Sequence, residues 1–422
     1  MEMRAEFKQT EVGMIPMDWD VEPLSAYSET SSGTTPARAA AERYFHGGTI
    51  PWVKTLDLNN SVLDETDECV TETALRETSL RLYPAGSVLV AMYGGFAQIG
   101  RTGLLPFPAT INQALTAICP NRRKLDSKYL LYFLNYHVDY WKAVASSSRK
   151  DPNITGNDVR NFLIALPSTE EQRLIATALS DVDALLDGLT GLIAKKCDLK
   201  QATMQRLLTG QTRLPGFSEE WEVKRLGEMA DIRSGGTPST GDAAAWDGEI
   251  QWCTPTDITS LAGKKYLRET SRRITDHGLK SSSAELIPAQ SVLMTSRATI
   301  GECAINAVPV TTNQGFKNFI PSNEVDVEFL YYLLQTQKQG FVSLCGGSTF
   351  LEIGKGQLRE YEVLSPKSKA EQTAIATVLS DMDAELAALD TRLIKTRVLK
   401  QAMMQELLTG KTRLLSPEAS HV

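Results

Sequence analysis

Two stretches of the chain carry apolar residues at helical spacing over an unusual length. In the first, Ile175, Leu179, Val182, Leu186, Leu189 and Ile193 follow one another at alternating steps of four and three; in the second, Ile375, Leu379, Met382, Leu386, Leu389 and Leu393 do the same. Such steps draw one apolar stripe along an α-helix and match the seam of a coiled coil. Each stretch follows a proline (Pro167, Pro366) and opens on Ser-x-x-Glu, at Ser168 to Glu171 and Ser368 to Glu371. This is a capping-box pattern, in which the serine oxygen takes an orphan N–H and the glutamate reaches back to the cap. Each stretch ends on Thr-Gly, with Gly210 and Gly410 as stops. About 40 residues at 1.5 Å apiece predict helices of roughly 60 Å. The seam loses its period near Lys196 and Thr396 and resumes around Leu199 and Leu399.

The rest of the chain is patterned differently. Residues roughly 18 to 166 and 220 to 365 hold short β-rich runs, such as Ser87 to Met92 and Ser291 to Thr295, broken by Gly, Pro, Asn and Ser. Both regions close on an aromatic-rich segment of helical length, 128–145 and 327–343. The pattern predicts mixed α/β (α+β) domains with long surface loops, and loops on a rigid frame are where recognition usually sits.

The two halves are copies. Residues 171–214 and 371–414 align at an offset of 200 without a gap and share 26 of 44 positions. The match continues backwards at lower identity: Trp19, Val21 and Leu24 answer Trp221, Val223 and Leu226, and Ser32-Gly-Thr-Thr-Pro36 answers Ser234-Gly-Gly-Thr-Pro238. Ser87-Val-Leu89 pairs with Ser291-Val-Leu293, Ile99-Gly100 with Ile300-Gly301, and Asn112-Gln113 with Asn313-Gln314. A period this long is a duplicated unit, not a solenoid repeat. The organisation is therefore a domain over 1–166, a helix over 167–214, a second domain over 215–365, a second helix over 366–414 and a tail over 415–422. Nearly identical helices are expected to pair with each other about an approximate two-fold axis, as an antiparallel coiled coil. Conserved helices with divergent domains suggest one scaffold carrying two different targets.

Charge narrows the function only slightly. A net charge of −7 argues at first against nucleic acid, but the total conceals basic runs at Arg122-Arg123-Lys124, Arg149-Lys150, Lys195-Lys196, Lys264-Lys265 and Arg272-Arg273. The six cysteines are scattered without a C-x-x-C pair, and His46, His137, His277 and His421 form no ligand cluster, so free thiols and no side-chain metal site are expected. No run approaches the length of a membrane helix, and the polar start does not resemble a secretion signal, which points to the cytoplasm.

The nearest approaches to catalytic motifs are incomplete. An adenine methyltransferase would need a D-P-P-Y-type motif; Asp151-Pro152-Asn153-Ile154 lacks both the second proline and the aromatic residue and is a turn signal. A Walker A loop fails at Gln405 before Gly410-Lys411-Thr412 and at Thr349 before Gly354-Lys355. A self-contained DNA methyltransferase and a protein-only coiled-coil adaptor remain the alternatives; the adaptor leaves the divergent domains without a purpose.

The order of these motifs, met twice, resembles the specificity subunit of type I restriction-modification systems. The residues carrying the resemblance are the opening KQTEVGMIPMDWDVEPL, the Ser-Gly-x-Thr-Pro motifs, the Ser-Val-Leu runs followed by Ile-Gly, the Asn-Gln pairs and the Glu-Gln at the start of each long helix. The resemblance implies a non-catalytic subunit with two target recognition domains, each reading half of a split sequence in double-stranded DNA. It also implies helices that hold two methylation subunits and fix the gap between half-sites, and recruitment of restriction (motor) subunits. S-adenosylmethionine, ATP and Mg would then reside on the partners and no cofactor on this chain. The apolar seam makes Leu179, Val182, Leu186, Leu189, Leu379, Met382, Leu386 and Leu389 the expected coiled-coil or partner-contact positions.

Residues common to both copies, such as Asn112-Gln113 and Asn313-Gln314, cannot distinguish two half-sites and are read as structural. Polar loop positions that differ between copies are the expected base readers: Lys54 and Thr55 against Thr254 and Pro255, Tyr93 and Gln98 against Arg297 and Thr299, and Lys317 alone. Arg149, Lys150, Arg272 and Arg273 are the expected phosphate contacts.

Overall fold

The computed structural model describes residues 6–146, 153–345 and 351–414. The chain divides into two compact units, one of Met1–Thr190 with Arg392–Val422 and one of Gly191–Thr391. The dividing points fall inside the long helices, so each unit joins one globular domain to part of both helices.

In the first unit a hairpin of Phe7–Thr10 and Gly13–Pro16 precedes Asp20–Pro23, which pairs antiparallel with Leu163–Leu166 and brings the two ends of the globular domain together. An antiparallel four-stranded sheet runs in the order Ser28–Ser32, Leu115–Pro120, Val88–Ala91, Thr102–Leu104. A smaller sheet sets Ile50–Val53 between Cys69–Val70 and Thr110–Ile111, with the latter pair parallel. Val88–Ala91 is buried at every position, which is why its sequence shows no polar alternation.

The second unit repeats the plan. Glu222–Arg225 pairs with Glu362–Ser365, and Trp246–Cys253 lies between Arg272–Ile274 and Thr311–Thr312. Its main sheet runs Ala230–Ser234, Phe316–Pro321, Val292–Thr295, Cys303–Asn306, Tyr266–Leu267. Tyr266–Leu267 joins it parallel to Cys303–Asn306, where the first unit has only an isolated bridge between Val62 and Leu104.

The aromatic segments form Ser127–Tyr136 and Val327–Thr336, capped by Asp126 and Asp326, whose carboxylates accept two backbone N–H groups each. Neither segment is one continuous helix, as its pattern suggested: each is interrupted, at His137 and at Gln337, before Val138–Ser146 and Lys338–Ser343. His137 turns its Nδ1 to the Phe133 carbonyl at 2.9 Å, and a side chain on that ladder carbonyl accompanies the break.

The long helices are Thr169–Leu207 and Lys369–Leu408. Leu179, Leu189 and Leu379 are buried, while Val182, Leu186, Met382, Leu386 and Leu389 are half-buried. The stripe read from the sequence is the buried face. Ion pairs fix the direction of pairing inside each unit. In the first, Lys400 meets Asp183 at 2.5 Å and Arg413 meets Glu171 at 2.6 Å. In the second, Lys200 meets Asp383, and Lys196 meets Glu385 at 2.7 Å. As one helix number rises the other falls, so the pairing is antiparallel. Asp183 and Asp383 also accept the hydroxyls of Tyr132 and Tyr332, at 2.7 and 2.5 Å, tying helix pair to globular domain. Lys400→Glu would set two carboxylates beside Tyr132; we expect a loss of about 1–2 kcal/mol, largely recovered by adding Asp183→Lys, as read by calorimetric unfolding of both variants.

The capping-box reading is half right. Ser168 Oγ accepts the Glu171 N–H at 3.2 Å, but neither glutamate reaches back to its cap. Glu171 instead takes a two-pronged bond from Arg413 at 2.6 and 2.8 Å and the Trp19 indole N–H at 3.2 Å. Glu371 takes the same from Arg213 at 2.7 and 2.8 Å and from Trp221 at 3.1 Å. The next residue is equally committed, with Gln172 and Gln372 accepting the Asp126 and Asp326 N–H groups at 2.8 and 2.9 Å. A buried carboxylate needs a charged partner more than it needs a cap.

Candidate nucleic-acid interface

In each unit the Ser-Gly-x-Thr-Pro segment folds onto the Asn-Gln turn. Asn112 Oδ1 accepts the Ala114 N–H at 3.1 Å, and Asn313 Oδ1 accepts that of Gly315 at 2.9 Å. Gln113 and Gln314 accept the Thr35 and Thr237 hydroxyls. A Cβ on Gly33 would overlap the carbonyl oxygens of Ile111 and Asn112 and lie 2.5 Å from the Ile111 side chain; on Gly235 it would lie 2.5 Å from the Thr312 carbonyl oxygen and closer still to that of Asn313. The shared motifs thus build the frame, and the loops beside them carry the differences.

Lys54 and Thr254 occupy one structural position, the cap of a short helix whose third residue is Asp57 or Asp257. Lys54 is turned into the domain, with Nζ 3.1 Å from Glu68 and 3.4 Å from Asp67. Thr254 gives its hydroxyl to Asp257 at 2.7 Å. Burial pushes the Asp257 carboxyl up, yet the N–H groups of Ser271 and Thr254 outweigh it and hold the group below the usual aspartate value. Thr55 is 7% exposed and Lys317 5%, so neither presents a side chain at the surface, where base edges would be met. Lys317 lies on an interior strand and points its ammonium at Ser296 Oγ, 3.3 Å away. Burial lowers its pKa, with Glu352 opposing the shift and Arg297 adding to it.

The remaining candidates lie on one loop. Tyr93 is exposed and Gln98 half-buried in the loop after Val88–Ala91; Arg297 and Thr299 are exposed in the equivalent loop after Val292–Thr295. Gln98 Oε1 is folded over Gly94, so its amide braces the loop as much as it faces outward. Arg297 Nε lies 2.9 Å from Glu352, whose other oxygen is 3.8 Å from Lys317, which links the exposed arginine to the buried lysine.

Arg272 stacks its guanidinium 3.8 Å from the Trp246 ring centre and 5.3 Å from that of Trp252. Arg273 is exposed, with Glu249 at 3.8 Å. Arg149 and Lys150 lie outside the described residues. Sequence reasoning overlooked Arg38, which covers Phe45 and Trp52 at 4.3 and 5.1 Å as Arg272 covers Trp246 and Trp252, although it comes from a different part of the fold. It also overlooked Phe96 and Glu352. An aromatic residue inside a glycine-rich loop between two strand-like runs was the available signal for Phe96. Among the described residues no group of three or more His, Cys, Asp or Glu could hold a metal ion, and no helix is long and apolar enough to cross a membrane.

Comparison with known proteins agrees with this architecture. The sequence profile described as "Type I restriction modification DNA specificity domain" matches twice, over residues 16–195 and 218–396. The MjaIX specificity subunit of Methanocaldococcus jannaschii is 39% identical over 175 residues, a match spanning 41% of this chain and 40% of that one. The putative MjaX specificity subunit of the same organism is 26% identical over 431 residues, covering 97% of both chains. Among solved structures, the S subunit of the type I system of M. genitalium has a TM-score of 0.56 at 16% identity, with 96% of this chain and 99% of that one covered. The HsdS subunit of Thermoanaerobacter tengcongensis has a TM-score of 0.52 at 20% identity, covering 94% and 98%. At these identities the structural likeness is one of fold.

Proposed function

Because the chain belongs to the type I restriction modification DNA specificity family, we propose that it reads a split double-stranded DNA target, one half through each globular domain, for the methylation and restriction subunits of its complex. Its role is sequence-specific DNA targeting without catalysis, as the specificity-subunit relatives indicate. One observation carries the two-reader proposal: the domains share the frame of Ser-Gly-x-Thr-Pro and Asn-Gln contacts while the exposed loop beside it reads Tyr93 to Gln98 in one copy and Arg297 to Thr299 in the other. Arg297 is the main base-reading candidate of the second domain, since a guanidinium can bond two acceptors on a guanine edge; Thr299 flanks it. Tyr93 and Gln98 take that place in the first domain. Lys54 and Thr254 support the neighbouring loops, and Arg272 and Arg273 face the phosphates. Two methylation subunits sit on the paired helices, S-adenosylmethionine, ATP and Mg are bound by the partners, and the complex works in the cytoplasm.

Selection from a random duplex pool by the chain with its methylation subunits tests the proposal. The enriched sequences should contain two short motifs at a fixed gap, and Arg297→Ala should relax one motif about tenfold and spare the other. A single continuous motif, or equal weakening of both, would contradict it.

A further inference from the structure

The equivalent loops of the two units differ in more than sequence. Among the described residues, three aromatic side chains stand well exposed, Tyr93 at 39%, Phe96 at 51% and Tyr140 at 42%, and all belong to the first unit. Tyr140 belongs with the loop through its neighbour: its ring is 5.2 Å from that of Trp141, and a Cβ on Gly100, at the loop's end, would lie 2.9 Å from the Trp141 Cβ. In the second unit the matching residues are Gly340 and Phe341, with the Tyr361 hydroxyl occupying the space a side chain at Gly340 would need.

The first unit's loop is held firmly. Gly94 and Gly95 take φ of 127° and 98°, which L side chains rarely adopt. Gln98 and Ile99 both donate to the Gly95 carbonyl, at 2.9 and 3.1 Å, and Gly100 donates to Ala91 at 3.0 Å. Met92 and Ile99 are buried on either side. Two aromatic rings are thus displayed on a loop whose ends are anchored, so covering them with a partner would cost little ordering entropy. Residues 92–100 include no charged side chain, whereas Arg297 in the second unit's loop is held by Glu352.

We propose that Phe96, with Tyr93 beside it, makes an apolar contact with the bases of the first domain's half-site, while the second domain relies on the charge of Arg297. The inference rests on the two-reader function above. Thymine methyl groups and partly unstacked base faces are the apolar surfaces a groove offers, and phenylalanine is suited to both. Such a contact neutralises no phosphate, so it contributes affinity without changing the salt dependence.

The test uses the full chain with its methylation subunits and three duplexes: the intact target and two in which one half-site is scrambled. Phe96→Ala should weaken binding to the intact duplex about tenfold with an unchanged salt slope, and Phe96→Leu should recover part of the loss. The penalty should vanish when one particular half is scrambled and persist when the other is; Tyr93→Ala should follow the same half, and Arg297→Ala the opposite one. Replacing thymine by uracil in the half that Phe96 senses separates the two apolar surfaces: loss of affinity identifies the methyl group, and no loss identifies a base face. Equal losses on all three duplexes, no loss on any, or loss of the methylation subunits from the purified variant, which would mark the aromatic tip as a protein contact, would each overturn the inference. Should the wild-type complex fail to discriminate between intact and scrambled duplexes, the two-reader function itself would fall.

Discussion

Glu371→Ala is expected to destabilise the second unit by about 3 kcal/mol and to lower its unfolding temperature by several degrees in calorimetry of the full chain. The Glu371 carboxylate is 3% exposed and Arg213 25%. Removing the acid strands a largely buried guanidinium and the Trp221 N–H, whereas water reaches Arg213 just enough to keep the cost at the lower end for a broken buried pair. Arg213→Met with Glu371→Leu should recover most of the loss, because the charge and its partner leave together. Glu171→Ala should act alike in the first unit, with one difference. Arg413 there also grips Asp18 at 2.8 and 2.9 Å, and this bond, opposed by partial burial, holds the Asp18 carboxyl below its usual value of 3.8. A lowered folded-state pKa stabilises above the unfolded-state value, and the benefit is lost as pH falls through the folded one. The first unit therefore has an acid-labile tie below about pH 4; in the second, Glu220 stands at the corresponding position and, among the described residues, no such ion pair joins it to Arg213.

Gly33→Ala is expected to cost about 2–3 kcal/mol and to impair the first domain's half-site alone. The atoms its Cβ would strike are the backbone oxygens of Ile111 and Asn112, which cannot rotate away as a side chain would. The Ser-Gly-x-Thr-Pro segment must lift from the Asn-Gln turn, and the neighbouring loops lose their support. Gly235→Ala should do the same in the second domain. Gly188→Ala is the control: nothing lies within 4 Å of its added Cβ in mid-helix, so it should stabilise by up to about 1 kcal/mol. Thermal unfolding gives the energies, and half-site selection shows which motif blurs.

The architecture was legible because the duplication acts as an internal alignment. The two long helices, the mixed α/β character of the domains and the hydrogen bonds of the Asn-Gln turns all followed from residues that recur with period or with their copy. What the sequence hid depends on partners far along the chain. Glu171 matches a capping box locally, and only the fold brings Arg413 to it from 242 positions away. Lys317 reads as a loop position because it has no counterpart in the other copy and a lysine is ordinarily at a surface, but it lies on an interior strand of a five-stranded sheet and is buried. Lys54 and Thr55 were read from loop composition, which does not reveal that Glu68 and Asp67 return to meet the lysine. Phe96 escaped attention because base reading was sought among polar side chains.

The two-reader claim is tested most directly by a chimera in which residues 222–365 are replaced by residues 20–166, so that both positions carry the first domain. Strands Asp20–Pro23 with Leu163–Leu166, and Glu222–Arg225 with Glu362–Ser365, pair in the same way at the base of each domain, which makes them matched joints. Methylated bases are then mapped genome-wide in cells expressing either chain with its methylation subunit. The account predicts a split target with two different halves for the natural chain and the same half-sequence at both ends for the chimera. An unchanged target in the chimera, or a continuous one in either chain, would contradict it.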